Sequence, residues 1–229
     1  MSGPAEPVVE LRDLRREFVV RSSSGGLRRT KRTVAAVDGI TATVTAGEAC
    51  RYIGANGAGK STTIKMLTGI LVPTSGTVRT CGFDPVPSRR ELAREIGVVF
   101  GQRSQLWWDL PLGESFAILA AIHGLSAQAA RARIDQLVEG LELGPLLATP
   151  VRQLSLGERM LQFLVAERRA EGTTLLLTTH DMSDIDRLCD RVLVVDLGRL
   201  VYDGTLTGWP PGWPCSGSSW WTWSKPGNP

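Results

Sequence analysis

One run of eight residues constrains the fold of this chain more than any other feature. Residues 54–61, GANGAGKS, match the pattern G-x-x-x-x-G-K-[ST] in full. An apolar strand pattern around Tyr52 precedes the run and a helical pattern follows it, which is the context that the pattern requires. The alternative is an accidental glycine-rich turn, and the constrained positions together with both flanks argue against it. The sequence therefore predicts a phosphate-binding loop.

The residues of this loop are expected to bind a nucleoside triphosphate. Its glycines let the backbone wrap closely around phosphate oxygens, and the helix that follows adds positive potential. Lys60 supplies a point charge for the β- and γ-phosphates, and Ser61 offers a hydroxyl to Mg²⁺. The predicted nucleotide-binding residues of the loop are Gly54, Ala55, Asn56, Gly57, Ala58, Gly59, Lys60, Ser61 and Thr62.

Strand patterns and helix patterns alternate along the chain, which predicts a mainly parallel α/β sheet. The strand patterns occupy residues 8–20, as short strands around a charged turn, then 33–45, 50–53, 96–100, 173–179 as a buried strand, 191–196 and the stretch after Gly198. The helix patterns occupy about 60–70, 88–96, two segments before residue 142 and a segment capped by Asp181. One middle helix carries an apolar face of Ile134, Leu137, Val138 and Leu141.

Composition and charge exclude several classes of protein. With 42% hydrophobic and 21% charged residues, the 229 residues suit a globular domain with a subdomain, and not a disordered, collagen-like or coiled-coil chain. A net charge of +3 is too small to indicate a nucleic-acid partner. No apolar run reaches the ~18–20 residues of a membrane span, and the first residues lack a signal-peptide pattern. The four cysteines lack zinc or disulfide spacing, so a reducing cytosol is expected.

The order of motifs resembles that of the nucleotide-binding subunits of ABC transporters over roughly residues 8–206. The loop GANGAGKST is similar to the Walker A motif of that family. Gln102 lies where the family has its Q-loop glutamine, and residues 154–158, LSLGE, resemble the signature LSGGQ. His180 matches the switch histidine, and Asp38–Ile40 matches the run that precedes the phosphate loop.

This resemblance implies specific roles for these residues. In the family, two cassettes sandwich two ATP molecules head to tail, so Ser155 and Gly157 of one chain would contact the γ-phosphate held by the other. Gln102 would contact the metal or the attacking water, and His180 would hydrogen-bond the γ-phosphate. His180 and Gln102 are therefore the candidate catalytic residues, and Ser61 and Gln102 are the candidate Mg²⁺ ligands.

For several aromatic residues and for the histidine, a structural role in the core is the alternative to a functional role. Phe18 is the candidate for stacking on adenine, and a core position in its strand is the alternative. Trp107 and Trp108 either form a surface that faces the permease or pack in the core. His180, taken alone, could be a core histidine.

The family fold is a P-loop NTPase of the ABC type, with a mainly parallel sheet, N-terminal antiparallel strands and a helical subdomain. The resemblance assigns residues 1–206 to this cassette and about residues 103–160 to the helical subdomain. It implies ATP and Mg²⁺ as cofactors, a membrane permease and a second nucleotide-binding subunit as partners, and no nucleic acid. The stretch 101–111, GQRSQLWWDLP, resembles the subgroup paired with ABC-2 export permeases. Such a subunit is expected in the cytoplasm, on the inner face of the cell membrane.

The resemblance also reveals a missing segment. Family members carry an Asp-Glu pair at the end of an apolar strand, where the aspartate holds Mg²⁺ through water and the glutamate orients the attacking water. Residues 157–180 contain no such pair, and neither Asp196 nor Glu167 is a credible substitute. We expect a deletion junction near Met160–Leu161, with roughly 25–35 residues lost. The family sheet would place the missing strand beside the strand that ends at His180.

Two segments fall outside the family pattern. Residues 207–229 hold five of the seven tryptophans with five prolines, which suggests out-of-frame translation. A membrane-interface cluster and a proline-rich partner segment are the alternatives for this tail. Residues 21–33, RSSSGGLRRTKRT, carry five cations and no acid. They are expected to form either a solvated loop or an element attracted to anionic lipid headgroups or an acidic partner.

Three functions compete at this point. The first is an ATPase subunit of an ABC exporter. The second is a nucleotide-binding cassette without catalysis, as the missing Asp-Glu pair suggests. The third is a regulatory or scaffold cassette that acts without a transporter, and the modest net charge and the lack of a paired cassette argue against it.

Overall fold

The computed structural model describes residues 6–23, 29–98, 106–154, 163, 166–168, 170–178, 189 and 191–208. The chain divides into two compact units, of which unit 1 comprises Met1–Gly97 with Arg168–Pro229 and unit 2 comprises Val98–Glu167. The described strands are β1 (Pro7–Ser23), β2 (Arg29–Thr45), β3 (Ala49–Gly54), β4 (Ser75–Thr80), β5 (Leu175–Leu177), β6 (Arg191–Asp196) and β7 (Arg199–Gly204). The described α-helices are α1 (Lys60–Leu67), α2 (Arg89–Glu95), α3 (Leu112–Ile122) and α4 (Ala127–Gly140). None of these helices has the length and apolar character needed to cross a bilayer.

The first sheet of unit 1 is antiparallel, in the order β2-β1-β4. The expectation of short strands around a charged turn is wrong for β1, which is continuous through Asp13. The register shifts there, Asp13 takes a φ of 46°, and its amide donates to Thr41 Oγ1 at 3.0 Å. A bulge of this kind absorbs an irregular residue without ending the strand, because its unpaired polar groups find side-chain partners.

The hairpin of β1 and β2 extends beyond β4. Strand β4 pairs with β1 only as far as Arg15, whereas β1 and β2 stay paired to Ser23 and Arg29. The stretch 21–33, expected as a loop, is therefore strand at both of its described ends. Among the described strands, this end of the hairpin pairs only with itself.

The second sheet of unit 1 has the order β5-β3-β6-β7. Strand β3 pairs in parallel with both β5 and β6, and β7 returns antiparallel to β6, so the sheet is mainly parallel as the sequence predicts. The central strands are apolar and covered on both faces, which is typical of parallel sheets. Their most deeply buried residues are Ala49, Cys50, Tyr52, Val192, Leu193, Val194 and Val195.

Strand β5 is shorter and more exposed than the buried strand expected over residues 173–179. It spans Leu175–Leu177, and all three leucines are only half-buried. Within the described residues, β3 is its one strand partner. A strand with a neighbour on one side leaves its other row of backbone groups open, which explains the lower burial.

Helix α1 ends at Leu67, before the expected end near Ile70. Gly69 takes a φ of +69°, and the amides of Ile70 and Leu71 both donate to the carbonyl of Lys65. A left-handed glycine directly after the last turn ends a helix in this way. The expected strand over residues 96–100 is also not seen, since Ile96 to Val98 are not strand and residues 99–100 lie outside the described part.

Unit 2 packs α3 and α4 on a small apolar core. Ile134 and Val138 of α4 contact this core and Leu141 is buried just after the helix, in agreement with the predicted apolar face. Trp107 and Trp108 are 41% and 63% exposed, so core packing is the wrong interpretation for both.

Candidate functional site

The predicted phosphate loop connects β3 to α1. Strand β3 ends at Gly54, α1 begins at Lys60, and Gly59 is the N-cap residue. No side chain of the described residues caps α1, and its first turn carries no acid. The first amides of a helix have no partner within the helix, so this terminus offers donors and positive potential to an anion.

Lys60 folds back over the loop. Its Nζ donates to the carbonyl oxygens of Gly54 and Ala55, at 2.9 Å in the second case. Burial lowers the pKa of this ammonium, because a low dielectric disfavours the charged form. A phosphate in the loop would give the ammonium a charged partner in place of two neutral carbonyls. The loop therefore fits a polyphosphate in both shape and charge.

The loop residues differ in exposure. Asn56, Gly57 and Ser61 are exposed, whereas Ala58 and Gly59 are buried. The Ser61 hydroxyl is thus accessible to a metal ion bound on phosphate. Elsewhere in the described residues, no three His, Cys, Asp or Glu side chains come together as a metal site.

A hydroxyl chain connects the loop to the strand beneath it. Tyr52 donates to Thr63 Oγ1 at 3.0 Å, and Thr63 Oγ1 donates to the carbonyl of Gly59 at 3.2 Å. Burial raises the pKa of Tyr52 to about 12, so the phenol stays a donor at neutral pH. This chain fixes the N-cap carbonyl relative to β3.

Two glycines of the loop allow close backbone approach. A Cβ on Gly54 would lie 2.1 Å from the Val195 carbonyl oxygen, and a Cβ on Gly59 would lie 2.3 Å from that of Ala36. Gly59 also has a φ of +102°, which side chains disfavour. The loop is therefore pressed against β6 at its start and against β2 at its end.

The turn between β6 and β7 joins the loop to β2. The amide of Gly198 donates to the Ala58 carbonyl at 3.1 Å, and the Gly198 carbonyl accepts from the Asp38 amide at 2.8 Å. A Cβ on Gly198 would come within 3.0 Å of the Ala36 carbonyl oxygen. We call this arrangement of Ala36, Asp38, Ala58 and Gly198 the loop clamp.

Asp38 reinforces the loop clamp through its side chain. Its Oδ2 accepts from Arg199 Nε at 2.8 Å and from Arg199 Nη2 at 2.6 Å, and Arg15 binds Oδ1. The hydrogen bond from Arg199 and the charges of both arginines hold the pKa of Asp38 below its usual value. This ion cluster holds β1, β2 and β7 together beside the clamp.

Phe18 lies on β1 opposite Val34 and is 37% exposed, so the alternative of a core position is wrong. The guanidinium carbon of Arg16 lies 4.7 Å from the centre of its ring, a cation–π distance that orients the ring. Val34 precedes Ala36, the residue that faces Gly59, by two positions on the same strand. Phe18 is therefore an available aromatic surface on the sheet that borders the loop.

The other predicted site residues lie outside the described residues. These are Gln102, Ser155, Gly157 and His180, together with the expected junction at Met160–Leu161. Glu167, already judged a poor metal ligand from the sequence, is held by both terminal nitrogens of Arg133 at 2.6 Å.

Sequence reasoning missed the contacts of Gly198 in the loop clamp and those of Arg199 and Tyr52 beside it. From the sequence, Gly198 and Arg199 only mark where the last strand pattern begins, and Tyr52 is only part of a strand. The available signal was a polar aromatic within an apolar strand and a Leu-Gly-Arg turn after an apolar run, and neither pattern specifies a contact with the phosphate loop.

Comparison with known proteins assigns a family. A family model described as ABC transporter matches residues 37–178, more than half of the chain. The chain is similar to Nod factor export ATP-binding protein I of Burkholderia lata, with 36% identity over 199 residues that cover 73% of this chain and 65% of that protein. It is also similar to daunorubicin resistance ATP-binding protein DrrA3 of Streptomyces coeruleorubidus, with 32% identity over 201 residues that cover 74% and 63%.

The chain spans less than two thirds of the length of these relatives. The first alignment runs over 199 positions, yet 73% of 229 residues is about 167, so about 32 aligned positions have no residue of this chain. The same arithmetic for the second relative also leaves about 32 positions.

Solved structures show the same fold. The chain resembles cbiO1 from Clostridium perfringens, part of the ABC transporter complex cbiONQ, with a TM-score of 0.67 and 22% identity over 87% of this chain and 88% of that one. It also resembles a dimeric ATP-binding cassette in a post-hydrolysis state bound to ADP and Pi, with a TM-score of 0.67 and 19% identity over 88% and 100%. The fold is that of ABC-type P-loop NTPases, as the motif order predicts.

The two loop glycines provide a test of the packing against β2. Gly57→Ala has space for its Cβ but keeps a φ of +84°, so it should cost about 1–2 kcal/mol of unfolding free energy. Gly59→Ala adds the collision with Ala36 and should cost clearly more. Urea unfolding of both variants measures the difference, and equal costs would contradict the packing.

The Asp38 cluster predicts a dependence of stability on pH. The folded pKa of Asp38 is lowered, so its contribution is present above the unfolded value of about 3.9 and is lost as pH falls through the folded value. Asp38→Asn should therefore destabilise the protein near neutral pH, and its deficit against wild type should shrink below pH ~4. Urea unfolding across this range measures the deficit. Asp135→Asn, which removes a carboxylate that is 72% exposed, is the control for loss of one charge, and a deficit independent of pH would contradict the assignment.

Proposed function

This chain belongs to the ABC transporter family, and we propose from this premise that it is an ATP-binding subunit of an exporter. The phosphate loop carries the proposal. Its uncapped helix terminus, its half-buried lysine and its two closely packed glycines form a preorganised site for the phosphates of ATP. ATP with Mg²⁺ is the ligand that the family implies.

We assign the roles of the individual residues as follows. The amides of residues 55–62 bind the phosphates, Lys60 neutralises the β- and γ-phosphates, and Ser61 coordinates Mg²⁺. Phe18 stacks on adenine, with Arg16 holding its ring from one side. This assignment needs an exposed aromatic on the sheet that borders the loop, and Phe18 meets that requirement.

The remaining assignments follow the family motifs. Gln102 contacts the metal or the attacking water, and His180 hydrogen-bonds the γ-phosphate. Ser155 and Gly157 contact the γ-phosphate that a second subunit holds. The names of the relatives, both ATP-binding proteins of export or resistance systems, support an export role.

We propose that the subunit lies on the cytoplasmic face of a membrane, where it pairs with a second cassette and a separate permease. The dimeric cassette among the similar structures and the membership of cbiO1 in a transporter complex support this arrangement. Trp107 and Trp108 lie exposed shortly after Gln102 in the chain, which suits a surface that contacts the permease.

A segment that carries the Asp-Glu pair is missing from this chain. The ~25–35 residues of a strand, a helix and their loops agree with the about 32 aligned positions that have no counterpart here. Strand β5, which precedes His180 in the chain, also has one described strand partner. The family sheet would place the missing strand on its other side.

The loss of this segment predicts binding without efficient catalysis. Phosphoryl transfer depends on positioning and on electrostatic stabilisation of the transferred group. Without the aspartate that holds Mg²⁺ and the glutamate that orients water, turnover should fall by several orders of magnitude. ATP binding depends on the loop, and the loop is intact.

Three proteins test ATP binding and ATP hydrolysis separately. They are the chain itself, its Lys60→Ala variant, and a chain into which the missing segment of a relative is inserted after Met160. The chain should bind ATP, and Lys60→Ala should bind about 10- to 100-fold more weakly, since it loses a charge-assisted hydrogen bond. Only the restored chain should show Mg²⁺-dependent release of phosphate. Calorimetry and a phosphate assay measure the two quantities.

Two outcomes would contradict the proposal. Turnover by the unrestored chain that Lys60→Ala abolishes would refute the loss of catalysis. A restored chain that binds ATP but does not hydrolyse it, even when assembled with its permease, would refute the role as an exporter ATPase. Salt-sensitive binding to RNA or DNA would instead favour a scaffold cassette.

A further inference from the structure

The end of the β1–β2 hairpin carries exposed aliphatic and basic side chains side by side. We call residues 19–20 of β1 and 31–33 of β2 the basic ribbon. Val19 is 64% exposed and Val20 is 48% exposed. Lys31 and Arg32 lie beside them and are also exposed.

The register shows that both faces of the basic ribbon are open. Val19 lies opposite Thr33, and Val20 lies opposite Arg32. Consecutive strand residues point to opposite faces, so two adjacent exposed valines indicate that neither face is covered by the described residues of the chain. Each face then presents valine next to a cation or hydroxyl.

The charge of this region has a single sign. The stretch from Phe18 to Val37 contains five lysines and arginines and no aspartate or glutamate. Further along the hairpin, Arg15 pairs with Asp38, which also pairs with Arg199 of β7. The basic ribbon therefore combines exposed aliphatic side chains with cations that have no acid near them in sequence.

We propose that the basic ribbon docks on an anionic lipid bilayer. The cations would face lipid phosphates, whereas the valines would enter the boundary between headgroups and acyl chains. An acidic protein would satisfy the cations, but it would leave aliphatic side chains on both faces of a two-stranded ribbon without a matching environment. A bilayer interface provides both environments at once.

This inference rests on the proposed function in one respect, because a cassette beside a permease lies within reach of a membrane. It goes beyond that function in assigning a direct lipid contact to the cassette itself. The residues involved are separate from the phosphate loop, so loss of lipid binding and loss of ATP binding can be distinguished in the same variants.

Cosedimentation of the full chain with vesicles tests the proposal. Vesicles of equal parts phosphatidylcholine and phosphatidylglycerol should bind the chain, and vesicles of phosphatidylcholine alone should bind it much less. Each cation near an anionic surface contributes about fivefold in affinity, so the double variant K31Q/R32Q should bind about 25-fold more weakly. Added salt should weaken binding, because it screens exposed charges.

Two further variants complete the test. V19S/V20S keeps the charge and should weaken vesicle binding by about tenfold through loss of apolar contact. R89Q/R90Q removes the same charge from exposed positions on α2 and should bind like wild type. Circular dichroism and urea unfolding confirm that each variant is folded, and calorimetry with ATP measures nucleotide binding separately.

Several results would overturn the proposal. One is equal weakening by K31Q/R32Q and R89Q/R90Q, which would indicate a non-specific effect of net charge. A second is a V19S/V20S variant that binds as tightly as wild type. A third is binding to poly-glutamate with no binding to anionic vesicles, which would identify an acidic protein as the partner.

Discussion

The contact between the phosphate loop and the turn after β6 is the constraint on which the rest of this structure depends. The loop can bind phosphate only if its amides converge, and loop residues alone do not ensure convergence. Here the Gly198 amide donates a hydrogen bond to the Ala58 carbonyl, and Gly59 lies against Ala36 of β2. The antiparallel sheet and the parallel sheet meet at this point. The contacts that pack the two sheets together therefore also fix the phosphate loop.

The segment that we propose to be missing would affect a different part of the protein. Strand β3 has described neighbours on both sides, and β6 pairs with it as far as Gly54, where the loop starts. Strand β5 has a described neighbour on one side only. The loss that we propose would therefore fall on the outer edge of β5 and on the acidic residues expected there, and not on the strand that carries the loop. Under this proposal the geometry for ATP binding would persist without the groups for hydrolysis.

Features that depend on a local sequence pattern could be predicted from the sequence. Features that depend on contacts between residues distant in the chain could not. The loop, the parallel core and the apolar face of α4 follow from spacing over a few residues. The bulge at Asp13 depends on Thr41, and the ion pair of Arg199 joins a residue 161 positions away. No local pattern contains such contacts. The early end of α1 was predictable in principle, since Gly69 is a common helix stop.

The central claim is that this loop is a formed ATP site in the chain as it stands. Amide hydrogen exchange with and without Mg²⁺ and ATP tests it most directly, because the loop amides would themselves bind phosphate. Exchange at residues 55–62 should slow when ATP is added, with no change in α4 of unit 2. Unchanged exchange at residues 55–62 in the folded chain, at ATP concentrations that saturate a relative of this family, would contradict it.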